Sequence, residues 1–228
     1  MSPAELNPLG LNPLRDMVAR EIDFAAIRKA SPVGLYISAT AVRSSQSKIF
    51  RTGELTCDHV MASACLPHLF PAVVIDGEPY WDGGYLANPA LWPLFYDPTP
   101  NDILIVSLNP FRRAQVPRTA EEIIDRLNEI SFNAPLLAEL RAVGFVQALI
   151  DEGLLTESAK GRYRKMLIHA VEADAWLDDL STESKFNTEW SFLLDLKGRG
   201  RKAADAWLAQ GLPNVGVRSS ADLHLGAG

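Results

Sequence analysis

Val73-Val74-Ile75-Asp76-Gly77-Glu78-Pro79-Tyr80-Trp81-Asp82-Gly83-Gly84 is the stretch whose reading decides the fold. Asp-Gly between two runs of β-branched and aromatic residues is a strong hairpin signal. Pro79 confines the second run to a sheet edge or a strand end, because proline has no N–H to give a ladder. A second Asp-Gly follows at Asp82-Gly83 with another glycine behind it, so the chain turns sharply again. Such a pair by itself is a common turn. Its neighbours decide what this one means.

Upstream, Thr56 caps a short helix through Cys57, Val60, Met61 and Ala64, which Pro67 stops. Its end is rich in small residues, Ala62-Ser63-Ala64-Cys65-Leu66-Pro67, and Phe70-Pro71 precedes the hairpin. Farther upstream, Val33 to Ala39 is a bounded apolar run that reads as a buried strand. The polar loop Arg43-Ser44-Ser45-Gln46-Ser47 joins it to a strand-like Lys48 to Thr52, which suggests a hairpin. Near the N-terminus, Asn12 to Arg15 and Asp23 to Ile27 read as short helical turns, the second capped by Asp23. Downstream come Asn88-Pro89 and then Ile103 to Leu108, apolar on both faces as a central parallel strand should be.

The run from Ala62 to Pro89 resembles the second signature block of patatin-like phospholipases. That block has a small-residue helix ending in proline, Phe-Pro, a strand pair through Asp-Gly, an aromatic residue, Asp-Gly-Gly and an Asn-Pro. The resemblance implies a three-layer α/β/α fold and a Ser-Asp dyad without histidine, acting on lipid esters. Its serine sits in a Gly-x-Ser-x-Gly elbow, and a glycine-rich loop supplies N–H donors to the oxyanion. Asp82 matches the catalytic aspartate, which takes the serine proton and returns it to the leaving group. Gly83 and Gly84 match the turn beside it, where the backbone passes the nucleophile without a Cβ clash. Asn88 and Pro89 match a structural position, Asn88 as a cap for a helix beginning near Pro89. Trp81 has two open readings, as the lining of an acyl pocket or as core packing.

No Gly-x-Ser-x-Gly occurs in the 228 residues, and no Gly-Gly-Gly precedes Val33. In the family both lie upstream of the matched block. The chain therefore looks like the C-terminal part of such a protein, with the nucleophile absent and the chain by itself inert. Loss of a serine nucleophile costs on the order of 10⁶ in turnover in a serine protease. A non-catalytic fragment or interaction module is the alternative reading. Truncation would expose sheet edges and apolar helix faces, so homo-oligomerisation is expected.

After Pro117 the character of the chain changes. Thr119-Ala120-Glu121-Glu122 is a capping box, opening a helix with Ile123, Leu127 and Ile130 on one face. Pro135 permits a second helix carrying Leu136, Leu140, Val143 and Ile150. A strand at Met166 to Val171 and helices around Phe186 to Leu196 and Ala203 to Leu208 follow. The expected organisation is α/β: residues 1–115 as the C-terminal part of a patatin-like catalytic domain, residues 116–228 as a mainly helical extension.

Net charge is −6, which argues against a nucleic-acid partner. Hydrophobic residues make up 47%, ordinary for a globular protein, and no apolar run reaches the roughly 18 to 20 residues of a membrane span. A local patch would still allow peripheral membrane contact. Cys57 and Cys65, if helical, stand roughly 12 Å apart, too far for a disulfide, and read as thiols in a reducing cytoplasm. His59, His68, His169 and His224 have no metal-ligand spacing, and neither metal nor cofactor is expected. Ser45-Gln46-Ser47-Lys48 fits Ser-x-x-Lys, but the Ser-Asp-Asn and Lys-Thr-Gly that accompany it are absent, so it reads as a solvated loop. Gly198-Arg199-Gly200-Arg201-Lys202-Ala203 fits the dinucleotide pattern without a preceding strand, and reads as a solvated basic turn.

Overall fold

A computed structural model describes residues 3–7, 10–96, 101–113, 115–159, 162–172, 180, 184 and 187–221. The chain forms two compact units, Met1–Pro93 and Leu94–Gly228.

The first unit opens with three helices, α1 (Pro3–Leu6), α2 (Pro13–Glu21) and α3 (Phe24–Ala30). Asn12 caps α2 by accepting the Arg15 N–H at 3.2 Å, and Asp23 caps α3 by accepting the Ala26 N–H at 2.9 Å. Both side chains satisfy N–H groups that a helix start leaves without partners. Strands β1 (Tyr36–Ala41) and β2 (Gln46–Arg51) form the expected hairpin, paired from Tyr36↔Arg51 to Ala41↔Gln46. Helix α4 (Cys57–Ser63) starts at Thr56, whose N–H is accepted by the ring of His59.

Strands β3 (Val73–Ile75) and β4 (Glu78–Asp82) flank Asp76-Gly77, where both residues have positive φ, 51° and 82°. That is the backbone a two-residue hairpin turn demands, and asparagine, aspartate and glycine tolerate it best. The four strands form one antiparallel sheet in the order β2-β1-β4-β3. β4 therefore lies inside the sheet, and Pro79 sits opposite Val74 on the edge strand β3.

Helix α4 packs against β1, β3 and β4. The core beneath it gathers Ala39, Ala41, Phe50, Leu55, Ala62 and Tyr80. Phe50 anchors it, with ring centroids 4.2 Å from His59 and 5.5 Å from Tyr80, both edge-on. Small residues on β1 and α4 let helix and sheet approach, and the aromatic rings fill the space left between them. Helix α5 (Trp92–Phe95) closes the described part of this region.

In the second unit, β5 (Asp102–Ser107) pairs in parallel with β6 (Leu167–Glu172), from Asp102↔Leu167 to Ser107↔Glu172. The expectation of a strand buried on both faces is not met. Ile103, Ile105 and Ser107 are buried, but Leu104 and Val106 are 45% and 64% exposed. Among the described residues this sheet has two strands, too few to cover both of its faces.

Helix α6 (Ala120–Asp151) runs unbroken through Pro135, where two helices were expected. The missing Pro135 N–H removes one intrahelical bond. Burial of Asn133, Leu136, Leu140 and Val143 on the turns around it compensates. Its capping box is present: Thr119 Oγ1 accepts the Glu122 N–H and the Glu122 carboxylate accepts the Thr119 N–H. Helix α7 (Trp190–Gln210) likewise merges two expected helices. Gly198 and Gly200 lie in its interior, so the basic segment is helical and not a turn, and Arg199 pairs with Asp195 one turn earlier at 2.7 Å. Phe186 and His224 lie outside the described residues.

Candidate active site

Asp82 is the last residue of β4, at the point where the sheet gives way to a tight helical turn, Gly83–Tyr85. Its backbone is clamped from two directions. The Asp82 N–H donates to the Cys65 carbonyl at 2.9 Å, and the Asp82 carbonyl accepts Thr40 Oγ1 at 2.8 Å. One partner follows α4 and the other belongs to β1, so helix and sheet together fix the residue.

The carboxylate is oriented locally. Oδ1 accepts the Gly84 N–H at 2.7 Å, the bond by which an aspartate caps a turn. Partial burial pushes the Asp82 carboxyl above its ordinary value, and the single Gly84 N–H opposes that without cancelling it. Cys65 and Tyr85 feel its charge, and burial raises the pKa of each. The Cys65 thiol points at the Pro71 carbonyl, 3.3 Å away, and both cysteines are free.

The need for glycine at position 83 is steric. A β-carbon there would lie 2.3 Å from the Ser38 carbonyl oxygen and 2.3 Å from Ser38 Oγ. The close approach is to β1 of this chain itself. Leu86 and Ala87 both donate backbone N–H to the Gly83 carbonyl, at 3.1 and 2.8 Å. The turn thus leads directly to Asn88-Pro89, which are joined by a cis peptide bond. The next helix begins at Trp92, so the expected Asn88 cap for a helix near Pro89 is not formed. Trp81 is half-buried and stands opposite Thr40 in the sheet.

Asp82, Gly83 and Gly84 therefore share one turn, with Asn88 and Pro89 closing the same loop. The Ser-x-x-Lys segment is elsewhere, at the β1–β2 turn, where Lys48 Nζ sits 5.6 Å from the Phe50 ring centre. His59 is a buried helix-start residue, its pKa lowered by burial. Among the described residues no group of three or more His, Cys, Asp or Glu could hold a metal ion. No described helix is long and apolar enough to cross a membrane.

A second polar constellation, in the second unit, had no signal in the sequence. Asp102, His169 and Ser220 meet there although 51 positions or more separate His169 from either partner.

No curated protein matches the chain. Residues 4–95 match the model of a family described as Patatin-like phospholipase. That stretch carries the Asp82 turn and the sheet beneath it, and it is there that the chain is similar to patatin-like phospholipases.

Proposed function

We propose that Asp82 is the general base of a Ser-Asp dyad that hydrolyses lipid esters, and that the serine is supplied by residues outside these 228. The observation that carries this reading is the state of the carboxylate. It is partly desolvated, raised toward the working pH, and held by Gly84 through one oxygen only. Oδ2 is then the oxygen that takes the serine proton. A base whose pKa lies nearer the operating pH transfers protons with less loss in either direction.

The chemistry follows in order. Asp82 accepts the proton as the serine oxygen attacks the ester carbonyl. It returns that proton to the departing alcohol, and then activates a water to release the fatty acid. Alone, the chain has the base of this dyad and no elbow serine to serve, so Asp82-dependent turnover is absent from it.

The test begins with the DNA immediately upstream of Met1. An in-frame Gly-x-Ser-x-Gly, and a protein containing it that hydrolyses phospholipid or p-nitrophenyl esters, support the reading. Asp82→Asn in that longer protein should lower turnover by a factor of about 10² to 10⁴. Stop codons throughout the upstream frame, or an unaffected Asp82→Asn, would overturn it.

A second reading, an interaction module, rests on α6. Ile123, Ile124, Leu127 and Ile130 near its start are 43% to 58% exposed. Self-association, or peripheral contact with a lipid surface, would cover such an apolar face. Light scattering and vesicle flotation separate the two, and a monomer that ignores vesicles would sink this second reading.

A further inference from the structure

In the second unit three side chains converge from distant positions. Asp102 opens β5, His169 lies in the middle of β6, and Ser220 belongs to the segment after α7. The parallel register sets Leu104 opposite His169, which leaves Asp102 one pleat away on the neighbouring strand. His169 Nε2 stands 2.9 Å from Asp102 Oδ1, and Nδ1 stands 2.9 Å from Ser220 Oγ. The ring is 1% exposed, with Trp207 edge-on at 6.2 Å between centroids.

The protons can be assigned from the partners. Asp102 Oδ1 also accepts the Gly216 N–H at 2.7 Å. That N–H first, and His169 second, hold the Asp102 carboxyl below its ordinary value. An ionised carboxylate only accepts, so Nε2 carries the imidazole proton and Nδ1 presents its lone pair. Ser220 Oγ–H therefore donates to Nδ1. A serine on a base, and the base on an orienting carboxylate, is the arrangement that activates a hydroxyl nucleophile.

Ser220 is placed to use that activation. It is exposed, and it lines a cavity of about 420 Å³ that Val171, Ala203, Trp207 and Arg218 help to wall. Its platform is rigid. Ser220 and Ala221 each donate N–H to the Ile168 carbonyl at 3.1 Å, and Ser219 Oγ accepts the Ile168 N–H at 3.0 Å. Those bonds, with Gly216 on Asp102, already fasten the segment, so the Ser220–His169 bond is not needed to dock it.

We propose that Ser220 is a second, independent nucleophile, with His169 as its base and Asp102 orienting that base, and that it accepts acyl groups from short-chain esters of acidic alcohols such as phenols. The ester class follows from burial. His169 sits behind Ser220, where it takes the serine proton but offers no open path to an outgoing group. Departure without proton donation requires a stable leaving anion. The step balances: Oγ bonds to the acyl carbon, its proton passes to Nδ1, and the carbon–oxygen bond breaks with its electron pair leaving on the phenolate. The proton stays on the imidazolium, paired with Asp102, and returns to Ser220 Oγ when the acyl-serine is hydrolysed. Water has the same restricted access to Nδ1, so the acyl-serine accumulates. Arg218, its Nε donating to Asn214 Oδ1 at 2.7 Å, lines the same cavity and makes that wall cationic.

The test uses the 228-residue protein with p-nitrophenyl acetate and a fluorophosphonate probe. The expected result is a burst of about one equivalent of p-nitrophenolate per chain, followed by slow turnover. Peptide mass spectrometry should place both adducts on Ser220. Ser220→Ala, with unchanged circular dichroism, should lose them. Asp102→Asn presents the wrong imidazole tautomer to the serine and should slow labelling by at least about 100-fold, as the corresponding change costs about 10⁴ in a serine protease. No adduct on Ser220 in the unmodified protein overturns the proposal, whatever the variants do. So does undiminished labelling of a folded Asp102→Asn. The proposal does not rest on the Asp82 dyad, whose test needs the longer protein.

Discussion

Gly83 and Ser38 meet backbone to backbone: a β-carbon on Gly83 would stand 2.3 Å from the Ser38 carbonyl oxygen. The contact lies where the pairing of β1 with β4 ends, at Ala39↔Asp82. The glycine that follows the candidate base therefore sets how closely the turn lies on the sheet.

Gly83→Ala should push the turn off β1 and cost about 1–3 kcal/mol, the range for forcing extra volume into a packed site. Urea unfolding measures it. Gly53→Ala is the control, because nothing lies within 4 Å of the added carbon there. Its unfolding free energy should stay within about 0.5 kcal/mol of the parent's.

Asp82→Asn should stabilise the first unit at neutral pH. Burial raises the folded-state pKa of Asp82 above its unfolded value, so the folded state binds more protons across that interval. Stability from this group is fully present below the unfolded value and is lost as pH rises through the folded one. Asparagine keeps the acceptor for the Gly84 N–H and carries no charge to desolvate. The gain should appear at pH 7 and vanish below about pH 4. Thermal unfolding across that range checks it, and a variant less stable at pH 7 would contradict the burial argument.

Glu129 should make the second unit acid-sensitive. Burial pushes its carboxyl up, but bonds from Arg113 and Arg126, at 2.5 and 2.9 Å, outweigh that and hold it below its ordinary value. Stability from a depressed carboxyl is present above its unfolded pKa and lost as pH falls through the folded one. Glu129→Gln should cost on the order of 1–3 kcal/mol at pH 7, with the difference from the parent shrinking below about pH 4. Arg126 also donates to the Pro110 and Phe111 carbonyls, so loss of the bridge should loosen that loop. Amide exchange in residues 110–113 would report it.

Pro135→Ala should raise the stability of α6. The helix already runs through this position, and alanine restores an N–H for the Ser131 carbonyl. Proline costs about 3 kcal/mol against alanine in an ideal helix interior. A gain of about 1–2 kcal/mol in denaturant unfolding is expected, the remainder being absorbed by relaxation already present around the proline.

Much of the first unit was legible because its signals are local. Asp76-Gly77 dictates its own turn, Asp23 caps the helix it precedes, and Thr56 does the same for α4. Thr119 to Glu122 also formed the box that its spacing predicted. Local signals failed where packing overrode them. Pro135, and the Gly198 to Gly200 segment, read as interruptions but lie inside long helices, and for α6 the buried face around Pro135 outweighs the local cost. Ile103 to Leu108 read as doubly buried because composition cannot show what covers a strand.

The sequence alone determined the hairpin, the Asp82-Gly83-Gly84 turn and the family resemblance, since each depends on residues a few positions apart. The tertiary structure alone decided that β1 lies against Gly83, that Cys65 and Thr40 clamp Asp82, and that Asp102, His169 and Ser220 meet. Those relations depend on strand pairing and helix docking, which bring together residues that no periodicity or spacing connects.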